Sequence, residues 1–145
     1  MTMISPSYPP ATINPHGLTI SLPVPPSINH QYATVNGRRI LSAVGRRYKL
    51  DIGQQILLAL SRSQHKHALL TTLRAEFIGL SIRCYFTSLL RRDIDGGLKI
   101  TQDAICEALG VNDNRVLELH VYKEVTKASP WITLTISSLR SPAGE

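Results

Sequence analysis

The chain has 145 residues, of which 43% are hydrophobic, and this length is enough for one domain with a buried core. No apolar run approaches the roughly 18 residues that cross a bilayer, and residues 1–17 lack the basic flank and apolar centre of a secretory signal, so we expect a cytoplasmic protein. The net charge is +6 and the basic excess lies in residues 1–100, which favours a polyanionic partner but also suits an ordinary soluble surface.

The first half of the chain is predicted to form a strand, a hairpin and a helix. Apolar and polar residues alternate over 18–23, which indicates a strand that ends at the following prolines. The pair Asn36-Gly37 suits a two-residue type I′ hairpin turn, because both residues tolerate a positive φ. Ser42 is the predicted N-cap of a helix over 43–62, although two glycines in that stretch disfavour it. The stretch SQHKHA at 63–68 is expected to be a polar loop.

The second half is predicted to contain three strands and a second helix. Alternation over 73–86 indicates a long, half-buried strand. Apolar residues at helical spacing predict a helix from Leu98 that ends at Gly110, a residue typical of a helix C-terminus. The stretches 116–125 and 131–137 alternate again and are expected to form an antiparallel pair.

These elements predict an α+β fold in which two helices pack on one small mixed sheet. The single domain would span residues 17–139, between a flexible N-terminal arm at 1–16 and a flexible tail at 140–145. Cys84 and Cys106 each lie in an apolar segment, so we expect two buried thiols rather than a disulfide or a zinc site.

The stretch RRDIDGGLK at 91–99 is the main candidate for chemistry. If Asp93 and Asp95 lie in extended chain, their carboxylates point to the same face and can share a hard cation such as Mg²⁺. Lys99, in the first turn of the second helix, is placed to counter a phosphate. Because that helix carries the chain back, Asp113 can meet the first two aspartates in space.

Each of these residues also has a purely structural interpretation. Asp95 suits the N-cap of the helix, and Asp113 suits a turn between two asparagines. Arg92 can pair with Asp93 at the surface, where an ion pair stabilises little. The spacing alone does not decide between these roles and a metal site.

Three stretches taken together resemble the RusA-type Holliday-junction resolvases. In that family, an L-P-x-P-P-S-x-N segment opens the domain, an R-D-x-D-N-x-x-K motif opens a helix, and a third aspartate follows that helix. The matching stretches here are LPVPPSIN (22–29) followed by Tyr32, GRRILS (37–42), and RRDIDGGLKITQDAICEAL (91–109) continuing to NDNRV (112–116).

The resemblance implies that Asp93, Asp95 and Asp113 bind the metal and that Lys99 is the essential lysine of the family. Arg92 matches the arginine that precedes the first aspartate. Asp103 also matches a recurrent family position, but on the helix it is expected to cap or to form an ion pair. The chain departs from the family pattern at Gly96, where the family has an asparagine whose amide can orient a ligand or phosphate.

The basic residues then have an interpretation as a phosphate-binding rim, although each also suits a solvated surface. The candidates for DNA binding are Arg38, Arg39, Arg46, Arg47, Arg91 and Arg92, with Lys49 beside them.

As a whole, the resemblance implies a homodimeric endodeoxyribonuclease that depends on Mg²⁺ or Mn²⁺ and cuts four-way DNA junctions by paired symmetric nicks. Two alternatives stay open. The first is a non-catalytic junction-binding relative, for which Gly96 would mark a degraded site. The second is a metal nuclease that acts on other branched DNA or on RNA.

Overall fold

The computed structural model describes residues 8–139. Within this range the strands are β1 (Thr12–Asn14), β2 (Gly17–Pro23), β3 (Tyr32–Val35), β4 (Arg38–Leu41), β5 (Ile78–Phe86), β6 (Val116–Val125) and β7 (Trp131–Ser138). The helices are α1 (Ile28–Gln31), α2 (Ala43–Ser61), α3 (Lys66–Ala75) and α4 (Leu98–Leu109), and a 3₁₀ turn follows at Asp113–Arg115. Of the predicted arm, residues 1–7 lie outside the described range, as does the whole predicted tail.

Five strands form one mixed sheet in the order β1-β2-β7-β5-β6. Strands β5 and β6 are parallel, and the connection between them contains α4, whereas the other neighbours are antiparallel. Strands β3 and β4 form a separate hairpin. The predicted α+β fold with a small mixed sheet is therefore confirmed.

Alternate residues of the central strands face the helices and make one core. Leu80, Ile82 and Cys84 of β5 are buried, while the residues between them are only half-buried, as the alternation predicted. Helices α2 and α4 pack against each other and bury one stripe each. The buried residues of these stripes are Tyr48, Ile52, Ile56 and Leu60 on α2, and Ile100, Thr101, Ala104, Ile105, Cys106 and Leu109 on α4.

Local signals at the hairpin and the helix ends are confirmed. Asn36 and Gly37 have φ values of 51° and 75°, the left-handed conformation that a type I′ turn requires. The Ser42 side chain caps α2 by accepting a hydrogen bond from the backbone N–H of Gly45 at 3.0 Å. Gly110 ends α4 with a φ of 67°.

The region before β5 differs from the prediction. Helix α3 occupies residues 66–75, which include the end of the expected polar loop (63–68) and the start of the expected strand (73–86), and β5 begins only at Ile78. Leu69 and Leu73, four residues apart, are fully buried on one face of this helix. With the one-turn helix α1, the described residues contain two more helices than predicted.

The pairing of the last two strands also differs. Strands β6 and β7 are not neighbours, because β5 lies between them and pairs with both. The crossover through α4 places β6 on the outer edge of β5, and β7 returns to fill the space between β5 and β2. Residues 12–14, assigned to the arm, form β1 and pair with β2, so the ordered sheet begins before Gly17.

Both cysteines are buried free thiols, as predicted. Burial raises the pKa of the Cys84 thiol. Burial, together with the nearby charges of Asp113 and Asp103, raises the pKa of the Cys106 thiol to about 11. Among the described residues, no helix is both long enough and apolar enough to cross a membrane.

Candidate active site

The loop between β5 and α4, residues 87–97, carries two of the predicted metal ligands and is called the acid loop below. Its last part is a turn: the N–H of Gly96 donates to the carbonyl of Asp93, and the N–H of Leu98 donates to that of Asp95, each at 3.1 Å. The two aspartates therefore do not lie on one face of an extended segment, and the prediction that they do is wrong. The N-cap of α4 is Gly97, so Asp95 does not fill that role and its carboxylate is available for a ligand.

Three predicted site residues meet at one cleft of about 270 Å³. Asp95 from the acid loop, Lys99 from the first turn of α4 and Asp113 from the 3₁₀ turn all line it, together with Leu98, Gln102 and Asp103. Helix α4 returns the chain to the start of β6, which places Asp113 in the same cleft as Asp95 but not with Asp93.

Lys99 is the cation of this cleft. Its ammonium donates to Asp103 Oδ2 at 3.3 Å, one helical turn further on, so Asp103 does form the ion pair expected of it. The hydrogen bond and charge of Asp103 raise the pKa of Lys99, and Tyr32 and Asp113 add smaller increases. The side chain is 72% exposed, so the ammonium faces solvent.

The carboxylates suit a hard cation in their chemistry, but they are not gathered around one point. None of the ion pairs found within residues 8–139 uses Asp93, Asp95 or Asp113. Carboxylate oxygens are the ligands that Mg²⁺ prefers. In the same range, however, no three His, Cys, Asp or Glu side chains form a group that could hold a metal ion. Asp93 lines a neighbouring cavity, with Pro25 and Phe86, and only Leu98 is common to both spaces.

The acid loop is tied to the protein mainly through its backbone carbonyls. Arg92 Nη1 donates to the carbonyl of Pro25 at 2.5 Å, and its guanidinium lies 5.7 Å from the centre of the Phe86 ring, so it does not pair with Asp93. From β6, Lys123 Nζ donates to the carbonyls of Leu89 at 2.7 Å and Arg92 at 2.9 Å. Lys123 is a site residue that the sequence analysis did not predict. The sequence does contain a signal for it, because a lysine stands at a position where the alternation of β6 predicts an inward-facing apolar residue.

Gln31 is the second missed residue. It lies at the end of α1, is only 1% exposed, and its Nε2 donates to the carbonyls of Pro26 at 2.8 Å and Gly96 at 2.7 Å. The residues at 23–27, called the proline segment below, are thereby joined to the acid loop. This contact explains why two motifs that are distant in sequence belong to one site.

The predicted DNA-binding arginines lie mostly at the surface. Arg38 and Arg39 are exposed on β4, and the guanidinium of Arg39 lies 4.7 Å from the centre of the Tyr32 ring. Arg46 donates to the carbonyl of Leu41 at 2.8 Å, and Arg91 is exposed on the acid loop. Two neighbouring bases on α2 have acidic partners: Arg47 with Asp51 at 3.1 Å, and Lys49 with Glu107 at 2.6 Å.

Comparison with known proteins assigns the chain to a family. The crossover junction endodeoxyribonucleases RusA of Escherichia coli O139:H28 and of Escherichia coli strain K12 are each 30% identical to it over 122 residues, which cover 83% of this chain and 94% of theirs. The protein of the same name from Enterobacteria phage 82 is 29% identical over 121 residues, or 83% of this chain and 93% of its own.

The other two comparisons add nothing to this assignment. No family model matches the chain. A solved structure of Atu1372, a protein of unknown function from Agrobacterium tumefaciens, covers 97% of this chain and 88% of its own with a TM-score of 0.43 and 16% identity, which is too distant to support an argument. On the relatives' similarity over most of both chains, this protein is a distant member of the RusA family.

Proposed function

We propose that this chain is a metal-dependent endodeoxyribonuclease that resolves four-way DNA junctions by paired symmetric nicks. The observation that supports this best is the cleft where Asp95, Lys99 and Asp113 meet, because acids and a base from three separate elements line one space. The relatives named above are crossover junction endodeoxyribonucleases, and the similarity spans nearly their whole length.

Asp93, Asp95 and Asp113 would hold Mg²⁺, or Mn²⁺ in its place. The bound ion would supply a Lewis acid and an activated water for attack on a phosphodiester. In support of this, Asp95 and Asp113 line the same cleft, and Asp93 lies two residues before Asp95 on the same loop.

Lys99 would neutralise charge on the scissile phosphate or on the leaving oxygen. A lysine is protonated at neutral pH even at its ordinary pKa, and Asp103 raises the pKa of Lys99 further. If bound DNA shields this ammonium from water, it would stabilise developing negative charge more strongly than it does in bulk solvent.

The arginine-bearing hairpin would bind the DNA backbone beside the cleft. Arg38 and Arg39 are exposed on β4, and the same hairpin begins at Tyr32, directly after Gln31, whose side chain donates to the carbonyl of Gly96 in the acid loop. Such phosphate contacts position a duplex without reading its sequence. A homodimer would provide two equivalent clefts, which is what two symmetric nicks require.

Two observations favour a second candidate, a non-catalytic junction-binding protein. Gly96 replaces the asparagine of the family motif, and within residues 8–139 the acids do not form a metal-binding group of three. Retention of all three aspartates and of Lys99 argues for the nuclease instead.

The two candidates are separated by single-turnover cleavage of a synthetic four-way junction with Mg²⁺, with Ca²⁺ and with EDTA, beside a linear duplex and other branched substrates. We expect paired nicks in Mg²⁺ alone and only on the junction. Tight junction binding without cleavage under any metal would identify a binding protein, and preferred cleavage of a flap or an RNA would identify a nuclease of another specificity.

A further inference from the structure

We propose that Gln31 is a positioning residue, which fixes the acid loop in the geometry that cleavage needs. This inference rests on the proposed nuclease function. Gln31 does not line the cleft itself, so its effect would pass through the backbone of the loop that carries Asp95.

The Gln31 side chain, in a residue only 1% exposed, makes two specific hydrogen bonds. Its nitrogen has two hydrogens, and the two acceptors within reach are the carbonyl oxygens of Pro26 and Gly96. Of the two ends of the amide group, only the nitrogen can donate to these oxygens, and this fixes the orientation of the group. A half-buried carbonyl that loses its donor is left partly unsatisfied, which costs free energy, so this contact favours one position of the loop.

Gln31 is itself held in place from the other side. The backbone N–H of Ser42 donates to the carbonyl of Gln31 at 2.9 Å, and a Cβ at Gly45 would lie only 2.6 Å from that same oxygen. Glycine at position 45 therefore permits the close approach of α2. Through its backbone carbonyl Gln31 thus contacts the first turn of α2, and through its side chain it contacts the proline segment and the acid loop.

The second half of the acid loop depends on this contact. Arg92 and Lys123 hold the first half, through Pro25 and through the carbonyls of Leu89 and Arg92. Beyond Asp93, Gln31 is the one described side chain that hydrogen-bonds the loop.

The carbonyl that accepts the Gln31 hydrogen bond belongs to Gly96, which directly follows Asp95. Gly96 also directly precedes the N-cap of α4, the helix that carries Lys99. A shift of Gly96 would therefore move both site residues relative to Asp113.

The test is Gln31→Met, which keeps the length and volume of the side chain but has no donor. We expect the cleavage rate of the bound junction to fall by about tenfold to a hundredfold, as for a displacement of reacting groups by about 1 Å. The dissociation constant for the junction, measured in Ca²⁺, is expected to stay within about twofold. Amide hydrogen exchange at residues 96–98 is expected to become faster.

Tyr48→Phe is the matched control. The buried Tyr48 hydroxyl donates to the carbonyl of Pro23 at 2.8 Å, so this variant also removes one donor to the proline segment but none to the acid loop. We expect its cleavage rate and its exchange at residues 96–98 to match the wild type. If Gln31→Met does not fold, Gln31→Asn, which keeps an amide on a shorter side chain, takes its place in the same comparison.

Wild-type cleavage by the Gln31 variant, or equal slowing by both variants, would overturn the proposal. If the wild-type protein does not cut junctions at all, the nuclease function fails separately. Faster exchange confined to the Gln31 variant would then still support its hold on the acid loop, and unchanged exchange would refute it.

Discussion

Lys99 Nζ donates to Asp103 Oδ2 at 3.3 Å, one turn along α4, and this bond places the ammonium at the edge of the cleft shared by Asp95 and Asp113. The pair is exposed and stabilises the fold by only about 0.3–0.5 kcal/mol, as is usual for i,i+4 pairs. Its main effect is on the protonation of Lys99.

Replacing Asp103 by Asn is predicted to shift the pH dependence of cleavage. The variant removes the largest cause of the raised Lys99 pKa, so the pKa falls toward its ordinary value. Lys99 stays protonated at neutral pH, so the rate there is expected to stay close to wild type. On the alkaline side, activity is expected to decline at a lower pH than in the wild type.

The measurement is the single-turnover rate across pH, with Lys99→Met as the reference for a site without the ammonium. A profile of Asp103→Asn that superimposes on wild type would show that Lys99 does not set the alkaline limit.

Changing any one of the three aspartates to asparagine is predicted to slow cleavage by at least about a hundredfold, the scale seen when one preorganised electrostatic group is lost. Junction binding is expected to be unchanged or tighter, because each variant removes negative charge near phosphate. Electrophoretic binding in Ca²⁺ and cleavage in Mg²⁺ measure the two effects separately.

Asp93→Asn is the most informative of the three, because Asp93 lines the neighbouring cavity rather than the cleft. If Asp93→Asn cuts at the wild-type rate while Asp95→Asn and Asp113→Asn lose cleavage, then only the residues of the cleft bind the metal.

Gly96→Asn, which restores the family residue, is predicted to raise the cleavage rate. Gly96 does not have a positive φ, and a Cβ there would lie 3.3 Å from the carbonyl of Asp93, so a small adjustment of the turn is sufficient. The added amide would be available to orient a phosphate. A flat or lower rate at unchanged junction affinity would mean that the glycine is compensated locally.

The next residue provides a steric contrast. A Cβ at Gly97 would lie 2.2 Å from Cγ of Pro25, so Gly97→Ala is predicted to lower the free energy of unfolding by about 1–3 kcal/mol through overpacking. Gly53→Ala, in open space inside α2, is predicted to raise it by about 0.5–1 kcal/mol. Urea denaturation compares the two variants directly.

Arg38→Ala and Arg39→Ala are predicted to weaken junction binding and to reduce its salt dependence. Each lost phosphate contact lowers the slope of log K against log salt by about 0.9. Arg83 provides the control, since it lies on the face of β5 that is opposite to the buried core residues and pairs with Glu124. An equal change of slope in Arg83→Ala would show that total charge, and not the hairpin, determines binding.

The sequence predicted the parts of this fold that depend on neighbouring residues. The positive φ values of Asn36 and Gly37, the Ser42 cap and the αL conformation of Gly110 follow from local chemistry. Helix α3 was missed because it is short and buries only Leu69 and Leu73. The pairing of β7 was missed because it depends on where a crossover places β6, which alternation cannot show.

The same division applies to the site. The motif pointed to Asp93, Asp95, Lys99 and Asp113, and all of these except Asp93 line one cleft. It did not identify Gln31 or Lys123, because both bind backbone carbonyls, which every residue has. In addition, Gln31 and its partner Gly96 are 65 positions apart in the sequence.

The crossover between β5 and β6 has a consequence for how such proteins diverge. The acid loop, α4 and the 3₁₀ turn lie within residues 87–115, so one contiguous exchange between relatives would transfer every acid of the cleft together with Lys99. Gln31 and the proline segment would stay behind in the recipient. A chimera of this kind would inherit the reactive groups without the scaffold that aligns them, and compensating changes would be selected near residues 23–31.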